Sequence, residues 1–264
     1  MFGNVFLKSL YDQRRAMLGW SIGLVLYVAV MAAIWPSVRD MPNLDEFLAN
    51  YPEAMRELWG IEDFTTGPGY LNAELFTFVL PLLFVIFGIG RGARMIAGEE
   101  EAGTLDVLLV TPVSAMRVLL HKAAALAITM FGLCAVLFAA VLVSSVILGM
   151  GVAVGDLAAA SLAMLLIGVE FGCLALAVGA MVGRRTVAVA VASTVAVGAY
   201  ALHAVGQLVE AVEPWQPISP FNQALADGPL GAGLRGTYVW MAVAAIAFIA
   251  AAVPVFDRRD IRAR

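Results

Sequence analysis

Two ionisable residues inside long apolar stretches are the positions at which this chain could do chemistry. Glu170 interrupts the apolar run 157–183, and His203 lies in the next run, 186–209. A charged carboxylate in hydrocarbon costs about 2.5 to 3.5 kcal/mol on insertion scales, so Glu170 must face protein or water. Two interpretations stay open for Glu170: a place in a substrate path, or a protonated side chain hydrogen-bonded across an interface. For His203 the pattern favours a hydrogen-bonded polar residue over a proton relay.

Other patterns that could carry chemistry are weak. The GIGRG string at residues 88–92 has glycines like a phosphate loop, but no strand precedes it and no Gly-Lys-Ser/Thr follows, so it predicts helix packing. The two histidines, His121 and His203, show no metal-ligand spacing with Cys134 or Cys173. We expect no metal site, no cofactor bound by this chain and no catalytic activity of its own.

The most specific polar segment is the coupling segment, residues 98–116. It opens with the acidic cluster Glu99, Glu100 and Glu101, and Gly103 then permits a break. A short helix is predicted to follow, with an N-cap, an acid in the first turn where the helix dipole favours it, and a leucine stripe. Thr104 is the predicted N-cap and Asp106 is the acid of the first turn. The leucine stripe consists of Leu105, Leu108 and Leu109.

The end of the coupling segment predicts the start of the next long helix. Thr111 is expected to cap that helix, with Pro112 at its first position. An apolar stripe beside an acidic edge could dock on another protein or pack on the chain's own bundle, and the residues alone leave both open.

The composition indicates that the bilayer surrounds most of the chain. Hydrophobic residues make up 62% and charged residues 14%, with a mean hydropathy of +0.90, whereas soluble domains are about half apolar and a quarter charged. We predict one all-α, polytopic transmembrane domain over residues 1–264. Six runs are long enough to cross about 30 Å of hydrocarbon. The predicted spans are about 16–38, 75–97, 117–149, 157–183, 186–209 and 236–256.

Two external segments, 39–74 and 210–235, connect these spans. The first has leucines and aromatics at helical spacing, which predicts a short amphipathic helix that serves as a packed cap or, alternatively, a gate. Residues 66–70 are predicted to be a turn. The second is rich in Pro and Gly, and we favour partial re-entry into the membrane over a surface loop.

The basic residues predict the orientation. With the N-terminus inside, only Arg39, Arg56 and Arg235 of the 16 Lys and Arg lie outside, so both termini are expected in the cytoplasm. The N-terminal residues form a pattern typical of an amphipathic interfacial helix, or simply a basic flank. The first apolar run is too long for a signal peptide and is expected to be retained. The expected membrane-surface anchors are Lys8, Arg14 and Arg15.

The string EEEAGTLDVLLVTPVSAMRVLLHK resembles the segment between spans two and three of ABC-2 type permeases. The resemblance extends to six spans, an N-terminal interfacial helix and an external Pro-rich segment. It implies the permease subunit of an ATP-driven exporter, and the Ala- and Val-rich composition favours a bacterial plasma membrane. Two copies of the permease, expected to be a homodimer, would bind two separate ATP-binding subunits that carry ATP and Mg²⁺.

The resemblance also implies roles for the coupling segment. The acidic cluster would face basic residues of the ATPase, and the leucine stripe would fill its groove; Ala115 and Met116 depart from the more basic residues common in relatives. We expect an amphiphilic substrate and contacts with membrane lipid, and we expect no binding of nucleic acid. The alternatives are a mechanotransmission subunit that acts on an extracytoplasmic partner, and a proton-coupled carrier or intramembrane enzyme that uses Glu170 and His203.

Overall fold

The described part of the chain is a bundle of long helices. The computed structural model describes residues 5–42, 50, 63–103 and 114–259. Within these ranges, six helices are long and apolar enough to cross a membrane, which confirms the all-α, six-span prediction. The helices are α1 (Val5–Arg39), α2 (Gly67–Glu101), α3 (Ala115–Leu148), α4 (Val154–Val182), α5 (Arg185–Leu208), the short α6 (Pro220–Leu225) and α7 (Tyr238–Arg258).

Successive long helices run in opposite directions, so the bundle has two chemically distinct ends. We call one the arginine-rich end; it holds the start of α1, the end of α2, the starts of α3 and α5, and Arg259 after α7. The other is the loop end, which holds the connections 149–153 and 209–237. The predicted external helix falls within residues 43–49 and 51–62, which lie outside the described residues.

Helix α4 lies at the centre of the bundle. In its most apolar stretch 67% of the residues are buried, against 17% for α1. Its glycines allow close contact with α2: a Cβ added at Gly88 would overlap the carbonyl oxygen of Gly168, and one at Gly92 would overlap that of Gly172. Small residues at four-residue spacing let helix backbones approach in this way. The prediction that the GIGRG string serves helix packing is therefore confirmed.

The N-terminal segment differs from its prediction as a separate interfacial helix. Residues 5–15 are helical, but α1 is continuous from Val5 to Arg39. Neither Pro nor Gly lies between Val5 and the apolar run to break the helix. Ser9 and Gln13 are buried, and Gln13 Oε1 accepts a hydrogen bond of 3.2 Å from Arg91 Nε. This first part of α1 is thus hydrogen-bonded to α2, whereas α1 as a whole packs mainly on α3.

Two predicted helix boundaries are corrected by the structure. The helix that enters span three begins at Ala115 and is capped by Ser114, whose hydroxyl accepts from Arg117 N at 3.4 Å, and not by Thr111. The predicted turn at residues 66–70 is the first helical turn of α2, because Thr66 accepts from Gly69 N at 3.1 Å and so caps it. The predicted end of span three is confirmed, since Gly149 closes α3 with a φ of +62°.

The segment between α5 and α7 descends into the bundle. Ser219 Oγ donates to Ala199 O at 2.7 Å, and Ala199 lies about 13 Å along α5 from its end at Leu208. Phe221 on α6 is buried, with its ring 5.8 Å from that of Phe171 on α4. The predicted partial re-entry of residues 210–235 is consistent with this depth.

Candidate functional site

The acidic cluster lies at the arginine-rich end, and Glu99 forms an ion pair there with Lys122. Glu99 Oε2 is 2.7 Å from Lys122 Nζ, and the Lys122 side chain is only 1% exposed. An ammonium group buried to this degree needs an opposite charge, because its desolvation is otherwise uncompensated. Glu99 therefore joins the end of α2 to the first turns of α3.

Glu100 joins α2 to the segment that follows α7. Its carboxylate is paired with the guanidinium of Arg259, whose second nitrogen donates to Ala180 O of α4 at 2.6 Å. A Cβ at Gly183 would lie 2.6 Å from that guanidinium and 2.7 Å from the carboxylate. A glycine at this position leaves space for the pair, and its φ of +72° also suits glycine.

Glu101 stabilises the start of α5. Its Oε1 accepts a 2.8 Å hydrogen bond from the backbone N–H of Arg185, the first residue of that helix. The first N–H groups of a helix have no partner within it and carry partial positive charge, so a carboxylate is favourable there. Three consecutive glutamates thus contact α3, α4 through Arg259, and α5.

Only residues 98–103 and 114–116 of the coupling segment belong to the described part of the chain. Gly103 has a φ of +66°, which ends α2 and confirms the predicted break. The predicted docking residues lie outside the described residues, and their contact with an ATPase stays a prediction. They are Thr104, Leu105, Asp106, Leu108, Leu109, Thr111 and Pro112.

A cavity of about 330 Å³ lies beside the acidic cluster, between α1 and α2. Asp12 and Gln13 line it from α1, and Arg91, Arg94 and Glu99 line it from α2. Of the predicted anchors, Lys8 is half-buried, whereas Arg14 and Arg15 are exposed on the same part of α1. The guanidinium of Arg14 lies 3.2 Å from the centre of the Tyr11 ring.

The two ionisable residues inside the spans face different surroundings. Glu170 is buried in the middle of α4, and its Oε2 has no hydrogen-bond partner among the described residues. His203 is also buried, but it lines a second cavity at the loop end. Three aromatic rings lie between the turn of α4 that carries Glu170 and the turn of α5 that carries His203. The ring of Phe221 contacts Phe171 on α4 on one side and Tyr200 on α5 on the other. The structure therefore gives Glu170 and His203 separate surroundings.

Comparison with known protein families agrees with this architecture. Residues 3–261 match the model of a family described as ABC-2 family transporter protein. The chain belongs to the ABC-2 family. No curated protein matches it. This ABC-2 chain is therefore a multi-pass membrane permease subunit of an ABC transporter.

Sequence reasoning missed several residues that hold this ABC-2 chain together. Lys122 and Arg259 belonged only to the basic residues expected on the cytoplasmic side, although a lysine close to the start of an apolar run was a signal for an acidic partner. Asn72 hydrogen-bonds both the N–H and the C=O of Leu230, each at 2.8 Å, across most of the sequence. No local pattern predicts a contact between residues so far apart.

Proposed function

We propose that this permease forms the membrane core of an ATP-driven exporter together with a second copy of itself. Two ATP-binding subunits, which would carry the ATP and Mg²⁺, bind at the arginine-rich end. Nucleotide-driven closure then moves an amphiphilic substrate out of the cytoplasm or the inner leaflet. Family membership supports the role of membrane subunit, whereas the direction, the copy number and the substrate are part of this proposal.

The distribution of arginines supports placing the arginine-rich end in the cytoplasm of a bacterial cell. Arg91, Arg94, Arg184, Arg185 and Arg259 lie at this end of the bundle. Arginine and lysine accumulate on the cytoplasmic side of short loops, so both termini of the chain are proposed to be cytoplasmic.

The observation that carries the proposed coupling is the position of the acidic cluster. It lies directly before the segment predicted to dock on the ATPase, and its carboxylates already bind α3, α5 and Arg259. Displacement of the docking segment would therefore act on three helix ends at once. In this proposal, the leucine stripe makes the contact with the ATPase, and the glutamates transmit its movement within the permease.

The experiment that tests this proposal is purification of the tagged permease from its native membrane, followed by reconstitution into liposomes. We expect an ATP-binding subunit in equal amount and ATP-dependent transfer of a fluorescent amphiphile from the inner leaflet. A Leu105→Asp/Leu108→Asp variant should lose both the subunit and the transfer, because charge in an apolar contact is not compensated.

The matched control is Leu234→Asp, a change of the same type at an exposed leucine of the loop end. This control should keep the ATP-binding subunit and the transfer activity. Purification without any ATP-binding subunit would contradict the proposal. ATP hydrolysis that responds to the permease but moves no amphiphile would contradict export and favour mechanical action on a partner outside the cell.

A further inference from the structure

The loop end contains a polar cavity that the proposed coupling does not use. Its volume is about 510 Å³, within the range of small-molecule sites. The first turns of α2, the last turns of α5 and the segment 209–237 enclose it. The polar side chains that matter for its chemistry are those of Asn72, Thr77, His203, Gln207, Gln216 and Asn222.

Some of these polar groups already have structural partners. The Asn72 amide bonds Leu230 with both its nitrogen and its oxygen, and Gln216 Nε2 donates to His203 O at 3.2 Å. These bonds fix two walls of the cavity. They also show that the segment 209–237 is held in place by neutral hydrogen bonds, which gives the cavity a defined shape.

Two buried groups in the wall have no such partner. His203 is 5% exposed, and its Nδ1 lacks a hydrogen-bond partner among the described residues; the same holds for the buried Oε1 of Gln207. The two residues are four apart on α5, so both lie on the face that lines the cavity. Buried polar atoms are nearly always hydrogen-bonded, so two unpartnered atoms on one wall can be satisfied by a polar group in the cavity.

The charges around the cavity disfavour an anionic ligand. The described lining residues include neither Lys nor Arg, and the nearby Arg235 is paired with Asp227 at 3.1 Å. An anionic group would therefore find no counter-charge among the described lining residues, and it would face Asp63 and Asp227. Imidazole and amide groups offer both donors and acceptors, and a hydroxyl group matches them because it does both.

We propose that this cavity binds an uncharged, hydroxyl-rich group such as a sugar or the glycosyl headgroup of an amphiphile. His203 and Gln207 make its hydrogen bonds. The site does not depend on the ATPase or on the direction of transport, so a binding test is separate from the test of export.

The test measures equilibrium binding to the full-length permease in phospholipid nanodiscs prepared without sugar detergents. Octyl glucoside, octyl phosphocholine and octyl sulfate, all below their micelle concentrations, share one chain and differ in headgroup. Saturation-transfer NMR, with empty nanodiscs as the blank, should show that the glucoside binds more strongly than the zwitterionic phosphocholine and the anionic sulfate. Free maltose, tested in parallel, distinguishes a soluble sugar from a lipid-linked one, and the glucoside result decides the proposal.

The variants His203→Phe and Gln207→Leu should each weaken glucoside binding about 3- to 10-fold, the effect of one lost hydrogen bond. The control His121→Phe changes the chain's other histidine, which lies near the arginine-rich end, and should leave binding unchanged. Gln207→Leu is close in size to the original and only partly buried, so it tests the site even if His203→Phe fails to fold. Equal binding of the three headgroups, or unchanged binding in Gln207→Leu, would overturn the proposal.

Discussion

The arginine-rich end is held together by charged groups, whereas the loop end is held together by neutral ones. At the first, three consecutive carboxylates bind Lys122, Arg259 and the N-terminus of α5. At the second, side-chain hydroxyl and amide groups bind backbone, as in Ser219 to Ala199 and Asn72 to Leu230. The ion pair there, between Arg235 and Asp227, has a carboxylate that is 78% exposed.

This difference has a physical consequence for how each end can change. Removal of one partner of a buried ion pair lowers the stability of the fold strongly, because the other charge stays buried without compensation. Removal of both partners costs much less. Neutral bonds to backbone depend on geometry and respond little to salt. The charged end is therefore suited to respond to a docking partner, and the neutral end is suited to hold a fixed cavity.

The largest effect should come from Glu99→Ala. The change leaves the ammonium of Lys122 buried without its ion-pair partner and should cost about 3 to 5 kcal/mol of stability. Thermal unfolding of the purified protein measures it. The double variant Glu99→Ala/Lys122→Met should recover much of the loss, and a double variant as unstable as Glu99→Ala would show that the charge of Lys122 is not the cause.

The second prediction concerns the middle of the bundle, where α2 and α4 are in close backbone contact. Gly88→Ala places a Cβ against the carbonyl of Gly168 and should cost about 3 kcal/mol, since the backbone of α4 cannot move aside locally. Denaturant titration compares it with Gly90→Ala. Gly90 has nothing within 4 Å of its added Cβ, so that control should be neutral or slightly stabilising.

At the loop end, Asn72→Ala should cost about 2 kcal/mol because two backbone groups of Leu230 lose their partner. Unlike the changes at the charged end, this loss should be the same at low and high salt, as measured by thermal unfolding at two ionic strengths. Asn72→Asp keeps the acceptor for Leu230 N but places a carboxylate oxygen against Leu230 O in place of the amide donor, so it should cost at least as much as Asn72→Ala. A strong salt dependence for Asn72→Ala would break the contrast between the two ends.

The smallest effect should come from Glu101→Gln. The amide oxygen can still accept from Arg185 N, but the charge at the start of α5 is lost, which corresponds to about 0.5 kcal/mol. Since Glu101 is exposed, high salt should remove most of the difference between variant and wild type. Thermal unfolding at low and at high salt checks this, and an equal difference at both would mean that the hydrogen bond, not the charge, is what matters.

Local features of the fold were predictable because they depend on neighbouring residues. The six apolar runs, the end of α3 at Gly149 and the break at Gly103 follow from hydropathy and from glycine's access to positive φ. The cap of α3 was placed at Thr111 instead of Ser114, because Thr-Pro and Ser-Ala both suit a helix start and sequence cannot choose between neighbouring caps.

The sequence by itself determined that this protein is a six-span membrane bundle with an acidic cluster before a break, since hydropathy and helix-breaking act over a few residues. Only the tertiary structure decided that Glu99, Glu100 and Glu101 have partners in three separate places, on α3, directly after α7 and at the start of α5. It also decided that His203 lines a polar cavity at the loop end, whereas Glu170 is buried in the middle of α4. Such contacts join residues far apart in the chain, and they arise only when packing of α2 on α4 fixes where each helix ends.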